Sequence, residues 1–227
     1  MNESLTQKIR NDFNRIALNE QEGWNHNNHY HRFLLKHLPF QCKTVLDIGC
    51  GTGEFSRLLA KRADKVIAID LSPNMIEVAK QRSKQYTNID FQVADVLQWE
   101  FPPERFDAIV SIATVHHLSV EHLLPNLKAA LKSGGRLVIL DLLEHENLRD
   151  MLSDLIAVPL NWSFQRMRNK HIQESAEVAE ARREHLRRDK YLTLSQVRKI
   201  YKSSLRKAKV TKHLFWRYSV VWEKSMA

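Results

Sequence analysis

Short apolar runs alternate with amphipathic stretches through the middle of the chain. The runs begin near residues 44, 66, 91, 106 and 136, and the stretches between them carry apolar residues at helical spacing. Continuous apolar runs are typical of strands that are buried on both faces. Strands that alternate with helices in this way predict a parallel sheet covered by helices on both sides.

Helical patterns precede this alternation and follow it. Residues 3–22 carry apolar side chains at helical spacing, and residues 31–38 predict a second helix. Residues 144–191 again favour helix, with a break expected at Pro159. The last apolar pattern, at residues 210–222, alternates as in two strands. Just before it, Thr193 and Gln196 form the capping-box pattern that opens a helix.

A glycine loop follows the first predicted strand. Gly49, Gly51 and Gly53 stand at every second position, a G-x-G-x-G pattern. The dinucleotide fingerprint G-x-G-x-x-G would need glycine at position 54, but Glu54 stands there, and its carboxylate would repel a pyrophosphate. Asp47 adds a second negative charge beside the loop. The loop therefore favours a cationic nucleoside without phosphate, such as S-adenosylmethionine.

Residues 45–53, Val-Leu-Asp-Ile-Gly-Cys-Gly-Thr-Gly, resemble the first motif of the class I S-adenosylmethionine-dependent methyltransferases. Four further stretches resemble later motifs of that family in the same order: residues 66–75, 91–95, 106–111 and 131–141. The resemblance covers roughly residues 40–142, with a weaker match at 193–224. It implies an α/β fold with a doubly wound, mostly parallel seven-stranded sheet, helices on both faces and an antiparallel last strand.

The resemblance also implies a single methyltransferase domain over residues 1–227. Within it we expect N-terminal helices at 1–39, the cofactor-binding core at 40–142, a helical substrate cover at 143–190, and the last helix and strands at 191–227.

The same resemblance places S-adenosylmethionine, and its product S-adenosylhomocysteine, at the ends of the first four strands. Asp70 would accept hydrogen bonds from both ribose hydroxyls, and Asp95 would accept one from the adenine amino group. Asp47 would face the methionine ammonium, and Ser111 would lie beside the methionine tail. The other expected cofactor contacts are Gly49, Cys50, Gly51, Gly53 and three apolar walls for the purine, Leu71, Met75 and Val96.

Methyl transfer from a sulfonium depends mainly on positioning, and a base is needed only when the acceptor must lose a proton. His116, in the loop after the fourth strand, is the candidate base; packing of its ring on the sheet edge is an equal alternative. For the neighbouring His117 we favour packing. Tyr30, His29 and Trp162 are the candidate acceptor contacts.

No metal site is expected. The histidines between residues 26 and 37 lack thiolates or carboxylates at ligand spacing. The chain has two cysteines, Cys42 and Cys50, and no signal-peptide pattern, which predicts a cytoplasmic protein without disulfides. No apolar stretch is long enough to span a membrane.

Positive charge is concentrated in residues 161–227, which hold 17 Lys and Arg against 6 Asp and Glu, in a chain of net charge +9. Such a region suits the binding of nucleic acid. Charged helix faces in contact with solvent also explain the excess of positive charge, and we favour that explanation. The fourth strand also lacks the Asn/Asp-Pro-Pro-Tyr/Phe signature of many amino-directed methyltransferases.

We therefore expect a methyltransferase that acts on a small-molecule acceptor. The alternatives are an RNA methyltransferase that uses the basic C-terminal third, and a non-catalytic protein that binds S-adenosylmethionine. A nucleotide-dependent oxidoreductase is opposed by Glu54 and the glycine spacing. The acceptor atom (O, N, C or S) and the oligomeric state are left open.

Overall fold

One seven-stranded sheet organises the computed structural model, which describes residues 4–18, 21, 23–146, 148–169 and 175–226. The strands are β1 Cys42–Ile48, β2 Ala63–Asp70, β3 Ile89–Val93, β4 Phe106–Ile112, β5 Leu131–Leu142, β6 Lys209–His213 and β7 Arg217–Glu223. Their order is β3-β2-β1-β4-β5-β7-β6. The pairs among β1 to β5 are parallel, and β7 is antiparallel to both neighbours. The expected fold class is confirmed.

Eight α-helices belong to the described part of the chain. They are α1 Leu5–Ala17, α2 His31–His37, α3 Glu54–Leu59, α4 Pro73–Arg82, α5 Val120–Ala130, α6 Leu148–Arg168, α7 Ala176–Arg188 and α8 Leu194–Ser204. Two short 3₁₀ helices, Asn28–Tyr30 and Val115–His117, lie at the carboxyl side of the sheet and its cover.

Local sequence signals set several helix ends. Ser72 caps α4 by accepting a hydrogen bond from the Met75 backbone N–H at 3.1 Å. Thr193 and Gln196 form the expected capping box of α8. The break expected at Pro159 is wrong, because α6 continues through it as a helix of 21 residues. A proline inside a helix removes one backbone hydrogen bond, and the turns on both sides keep theirs.

The sheet is buried on both faces, as the continuous apolar runs predict. Leu46 and Ile109 face α5 and α8, in a cluster that includes Leu127 and Tyr201. The neighbouring residues Val45 and Ala108 point to the opposite side, where Leu34, Phe55 and Ile76 of α2, α3 and α4 cover them. Side chains of adjacent strand residues point to opposite faces, so each strand contributes to both clusters.

Helix α1 lies across the body of the molecule and packs on α4 and α7. Ile16 and Ala17 of α1 meet Met75 of α4 and Ala181 of α7 in a small apolar cluster. The Ser72 hydroxyl donates to Asn14 Oδ1 at 2.6 Å, which fastens α1 beside the carboxyl end of β2. The role of residues 143–190 as a substrate cover stays a prediction, and residues 147 and 170–174 of that segment lie outside the described residues.

Candidate functional site

The glycine loop lies directly after β1. Gly49, Gly51 and Gly53 all have positive φ, at 70°, 52° and 76°. Residues other than glycine rarely adopt this region of backbone conformation. A Cβ atom on Gly49 would overlap the Thr114 side chain, so the loop after β4 closes directly on that glycine. A Cβ atom on Gly51 would meet nothing within 4 Å. Gly51 therefore presents bare backbone to an open space, as close approach of a ligand requires.

Asp70 connects this loop to the start of α4. Its carboxylate accepts a hydrogen bond from the Gly51 backbone N–H and another from the Ser72 backbone N–H, each at 2.9 Å. Burial raises the pKa of Asp70, and the hydrogen bonds from Ser72 and Gly51 oppose that rise. The Leu71 backbone N–H also hydrogen-bonds to this carboxylate. Each carboxylate oxygen has two acceptor lone pairs, so the group retains capacity for a further donor.

Asp47 lies beneath the loop with only 2% of its surface exposed. The Ser56 hydroxyl donates to its carboxylate at 2.6 Å. Burial raises the pKa of Asp47 to about 7, the Ser56 hydrogen bond lowers it, and the nearby Asp70 carboxylate raises it. Two buried acids at one loop favour a cation in the space beside them.

The other expected cofactor residues lie around the same edge. Ser111, at the end of β4, donates its hydroxyl to the Ile48 carbonyl at 3.1 Å and so ties β4 to β1. Asp95 accepts a hydrogen bond from the Leu97 backbone N–H at 3.0 Å. Burial raises the pKa of the Cys50 thiol well above its ordinary value, so Cys50 is a poor nucleophile.

The three expected purine walls differ in exposure. Val96 is buried, and Leu71 is half-buried. Met75 is buried in the cluster with Ile16 and Ala17 of α1, so its side chain lies under the helix that covers this edge. Their contact with a purine stays a prediction.

His116 is held by a carboxylate at the end of β5. Its Nδ1 lies 2.6 Å from Asp141 Oδ1, and its backbone N–H donates to Asp141 Oδ2 at 2.7 Å. The Asp141 side chain is completely buried. These two contacts fix the imidazole ring, and they place the proton of the neutral ring on Nδ1 and a lone pair on Nε2.

Three imidazole rings surround the carboxylate of Asp189, which follows α7. Its oxygens lie 3.7 Å from His116 Nε2, 3.6 Å from His117 Nδ1 and 3.5 Å from His185 Nε2. The Tyr191 hydroxyl donates to the same carboxylate at 2.9 Å. The side chains of Asp189 and the three histidines are each at least nine-tenths buried.

The α1 side of this cluster carries one more acid. Asp12 Oδ2 lies 3.3 Å from His185 Nδ1 and also forms an ion pair with Arg188. Burial, together with the neighbouring His116 and His185, lowers the pKa of His117 to about 2. The His117 Nε2 atom is buried and has no hydrogen-bond partner among the described residues.

Sequence reasoning missed most of this cluster. Asp141 could have been found, because it follows the apolar run 137–140 directly and so stands at a strand end, as Asp70 does. Asp12, His185 and Asp189 carry no local signal. They belong to helical segments whose approach to His116 depends on how α1 and α7 pack.

A pocket of about 100 Å³ adjoins His116. Val115, Leu118, Leu142, Leu192 and Tyr218 belong to its lining, together with the charged residues Glu121 and Lys190. The lining therefore combines apolar and polar groups, which suits a small organic group that carries polar atoms.

The expected acceptor contacts separate into two groups. Tyr30 donates its hydroxyl to the Leu214 carbonyl at 2.9 Å, and its ring lies 4.8 Å from that of His29. His29 also contacts Phe215, 5.2 Å away between ring centroids. Trp162 is not part of this group: 67% of its surface is exposed, and it contacts the Arg166 guanidinium on α6.

Arg217 lies close to this aromatic group at the start of β7. It is 7% exposed, and it donates to Asn27 Oδ1 at 3.0 Å and to the Phe215 carbonyl at 3.1 Å. Burial lowers its pKa, and the Asp141 carboxylate raises it. Phe215 and Trp216 have positive φ, 56° each, so the β6–β7 turn is strained where it meets the aromatic group.

No described helix combines the length and the hydrophobicity needed to cross a membrane.

Residues 45–135 match a family described as a methyltransferase domain. The chain is 33% identical over 141 residues to a demethylmenaquinone methyltransferase of Tropheryma whipplei, an alignment that covers 59% of each chain. It is 46% identical over 101 residues to a malonyl-[acyl-carrier protein] O-methyltransferase of Paenibacillus, covering 41% of this chain and 37% of that protein. The chain thus spans less than two thirds of the length of these relatives.

Two solved structures share the fold over most of the chain. The N-methyltransferase NodS from Bradyrhizobium japonicum, in complex with S-adenosyl-L-homocysteine, has a TM-score of 0.65 at 19% identity, covering 96% of this chain and 98% of that one. A phosphoethanolamine N-methyltransferase of Haemonchus contortus, in complex with S-adenosylhomocysteine, has a TM-score of 0.64 at 22% identity, covering 92% of this chain and 46% of that one.

Proposed function

We propose that this chain, a member of the class I S-adenosylmethionine-dependent methyltransferase family, is an active enzyme. It transfers the sulfonium methyl group of S-adenosylmethionine to a small-molecule acceptor. The observation that carries this proposal is the open face of Gly51, bonded through its N–H to Asp70 and lying over the buried acid Asp47. Bare backbone, a carboxylate with free acceptor capacity and a second acid suit a ribose and a cation.

Each of these groups has a task in holding the cofactor. Asp70 accepts hydrogen bonds from the ribose hydroxyls beside those that it receives from the Gly51 and Ser72 backbone N–H groups. Asp47 faces the methionine ammonium, whose charge offsets that of the two acids. Asp95 binds the adenine amino group. The remaining proposed contacts are Gly49, Cys50, Gly53, Leu71, Met75, Val96 and Ser111.

The small-molecule class of the acceptor has two supports. One relative is named for demethylmenaquinone, a small organic acceptor. The pocket beside His116 has a lining of apolar and polar groups and a volume of about 100 Å³, which suits a small organic group and not a folded nucleic acid. His29, Tyr30 and Trp162 are the further acceptor contacts that we propose.

His116 is the residue that we propose activates the acceptor. Asp141 holds the ring through Nδ1 at 2.6 Å, so the lone pair on Nε2 is available to an acceptor hydroxyl. In the displacement, the acceptor atom forms a bond to the methyl carbon, and the carbon–sulfur bond breaks with its electron pair on sulfur. Positioning supplies much of the acceleration in such a reaction.

We further propose the cytoplasm as the compartment. Cys42 and Cys50 are both buried, unpaired thiols, as a reducing environment favours.

Transfer of a radiolabelled methyl group into an extract of the source organism tests the function. We expect label in the small-molecule fraction, lost with Asp70→Asn and retained with Asp64→Asn, an exposed acid earlier on the same strand. The expected loss corresponds to roughly 2–4 kcal/mol of cofactor binding, at about 1.5–3 per charged hydrogen bond with partial compensation by water. Label confined to RNA or protein would contradict the acceptor class. Binding of S-adenosylhomocysteine without transfer to any fraction would contradict the catalytic proposal.

A further inference from the structure

The cluster around Asp189 has the composition of a metal centre. We propose that His116, His117 and Asp189 bind one divalent transition-metal ion, and that Zn²⁺ suits their donor set best. Two imidazoles and a carboxylate are common zinc ligands. The ligand atoms of these three residues all lie within 4.8 Å of one another.

The spacing of these atoms favours coordination over hydrogen bonding. His116 Nε2 and His117 Nδ1 lie 3.7 Å and 3.6 Å from the Asp189 oxygens, which is too far for good hydrogen bonds. Two ligand atoms bound to one tetrahedral zinc at its usual bond lengths are separated by roughly 3.4 Å. The two carboxylate–imidazole distances are close to the separation that a shared ion requires, and the ligand atoms of all three residues lie within 4.8 Å of one another.

The contacts behind the ligands support the same reading. A metal-bound histidine usually donates its other ring N–H to a carboxylate, which orients the ring toward the ion. Asp141 stands in that place, 2.6 Å from His116 Nδ1. Tyr191 donates to the Asp189 carboxylate at 2.9 Å and so orients the oxygen ligand.

The charges of the cluster leave room for a cation. Asp12, Asp141 and Asp189 bring three buried carboxylates into this region. Among the described residues, the guanidinium groups that face them are Arg188, paired with Asp12, and Arg217, which interacts electrostatically with Asp141. With neutral imidazoles, the three acids exceed the two guanidinium groups by one negative charge. A divalent ion offsets that excess.

Protonated histidines paired with Asp189 are the competing explanation. Charge-assisted hydrogen bonds between nitrogen and a carboxylate are typically about 2.7–2.9 Å long, whereas His116 Nε2 and His117 Nδ1 lie 3.7 Å and 3.6 Å from the Asp189 oxygens. These separations oppose ion pairs that are held by direct hydrogen bonds.

His185 is the nearest further donor. Its Nε2 lies 3.5 Å from Asp189 Oδ2, and Asp12 lies 3.3 Å from its other ring nitrogen. His185 therefore borders the site with the same carboxylate–imidazole arrangement as His116. With three protein ligands in place, a fourth position stays open, as in catalytic zinc sites.

The binding of the ion is independent of the proposed function, but its use rests on that function. His116 also lines the pocket of about 100 Å³, so the proposed ion site adjoins the space proposed for the acceptor. An ion bound there would lower the pKa of an acceptor hydroxyl that coordinates it. His116 would then act as a ligand of the ion and not as the base proposed above.

Spectroscopic titration of chelator-treated protein with Co²⁺ tests the site without acceptor or cofactor. We expect one equivalent to bind with the visible absorption of a four-coordinate cobalt ion, and Zn²⁺ to displace it. X-ray absorption of the zinc form should show nitrogen and oxygen ligands only. Failure of wild-type protein to bind one equivalent would overturn the proposal, and so would sulfur ligands, since Cys42 and Cys50 lie outside the cluster.

Matched variants locate the ion. His117→Gln and Asp189→Asn should each weaken Co²⁺ binding at least 100-fold, and Asp141→Asn should weaken it 10- to 100-fold as an outer partner. His122→Gln, an exposed histidine on α5, should bind as wild type does. Unchanged affinity in the first two variants would overturn the assignment. Calorimetric binding of S-adenosylhomocysteine checks that each variant is folded, and it reports separately on the cofactor site.

Discussion

At the scale of single residues, Gly49 and Gly51 of the glycine loop have similar backbone conformations but different surroundings. Gly49 has no room for a side chain, because Thr114 occupies that space. Gly51 has room, but the room is the open face beside Asp70. The first glycine therefore serves the packing of the loop after β4, and the second leaves its open face to the proposed cofactor.

Alanine substitutions separate these two roles. Gly51→Ala should cost about 1–2 kcal/mol of stability, the penalty of a side chain in the left-handed region, yet lower S-adenosylhomocysteine affinity at least tenfold. Gly49→Ala carries the same backbone penalty and an overlap with Thr114, so it should be clearly the less stable protein. Thermal unfolding and calorimetric titration measure the two effects. Equal loss of stability in both variants would contradict the division.

Asp47 makes stability depend on pH. Burial raises its pKa from the ordinary 3.8 to about 7, so between these values the folded protein holds a proton that the unfolded chain has released. The free energy of unfolding should therefore fall as pH rises from about 4 to 7, by roughly 4 kcal/mol at most for this group. Asp47→Asn should remove this component. Urea unfolding of both proteins at pH 5 and pH 8 provides the comparison, and a wild-type advantage that grows with pH would refute it.

Local motifs and distant contacts differ in how far the sequence reveals them. The sequence predicts the places of Gly51 and Asp70, because a strand, a loop and the next strand end set them within about twenty residues. His116 was also a candidate, on its chemistry alone. Asp189 was missed, since its position beside His116 depends on the packing of α7 on α1, which no short pattern encodes.

At the scale of elements, α1 is held mainly by polar contacts in its C-terminal half. Asn14 accepts a hydrogen bond from the Ser72 hydroxyl at 2.6 Å, and Arg15 pairs with Glu184 of α7 at 2.9 Å. The apolar contribution is small, with Ile16 and Ala17 as its buried members in the cluster with Met75. A helix with few buried apolar contacts opens at low free energy.

Asn14→Ala should loosen α1 without disturbing the sheet. The variant leaves the Ser72 hydroxyl without its acceptor, so we expect hydrogen exchange in residues 5–17 to accelerate about tenfold while exchange in β1 and β4 stays as in wild type. Lys8→Ala, at an exposed position of the same helix, is the matched control. Hydrogen-exchange mass spectrometry gives both rates, and equal acceleration in the two variants would count against this role of Asn14.

The helices and strands themselves were largely predictable. Continuous apolar runs identified the strands because both faces of the sheet are covered, and Ser72 and Thr193 marked helix starts through ordinary capping chemistry. Pro159 misled the prediction, because the loss of one hydrogen bond does not end a helix that continues on both sides.

At the scale of the whole molecule, the order of the strands brings the candidate groups to one edge. The parallel strands β1, β2, β4 and β5 end there with Asp47, Asp70, Ser111 and Asp141 close to their last residues. Because β7 runs antiparallel, its first residue, Arg217, arrives at the same edge, opposite Leu142. The fold was predictable from ordered motifs. The packing of α1 on α7 beside this edge was not, since these helices are distant in the sequence and meet only in the folded chain.

The packing of α1 on α7 has a consequence for the synthesis of the protein on the ribosome. Arg15 and Glu184 are separated by 169 positions in the chain, and α1 leaves the ribosome long before α7 exists. At about 5–20 residues per second, the first helix waits roughly 8–35 seconds for its partner, while β1 to β4 can already assemble. A growing chain therefore completes its glycine loop before α7 exists to pack on α1. A chain that is interrupted before residue 176 leaves Arg15 without its partner Glu184 and α1 without the helix on which it packs.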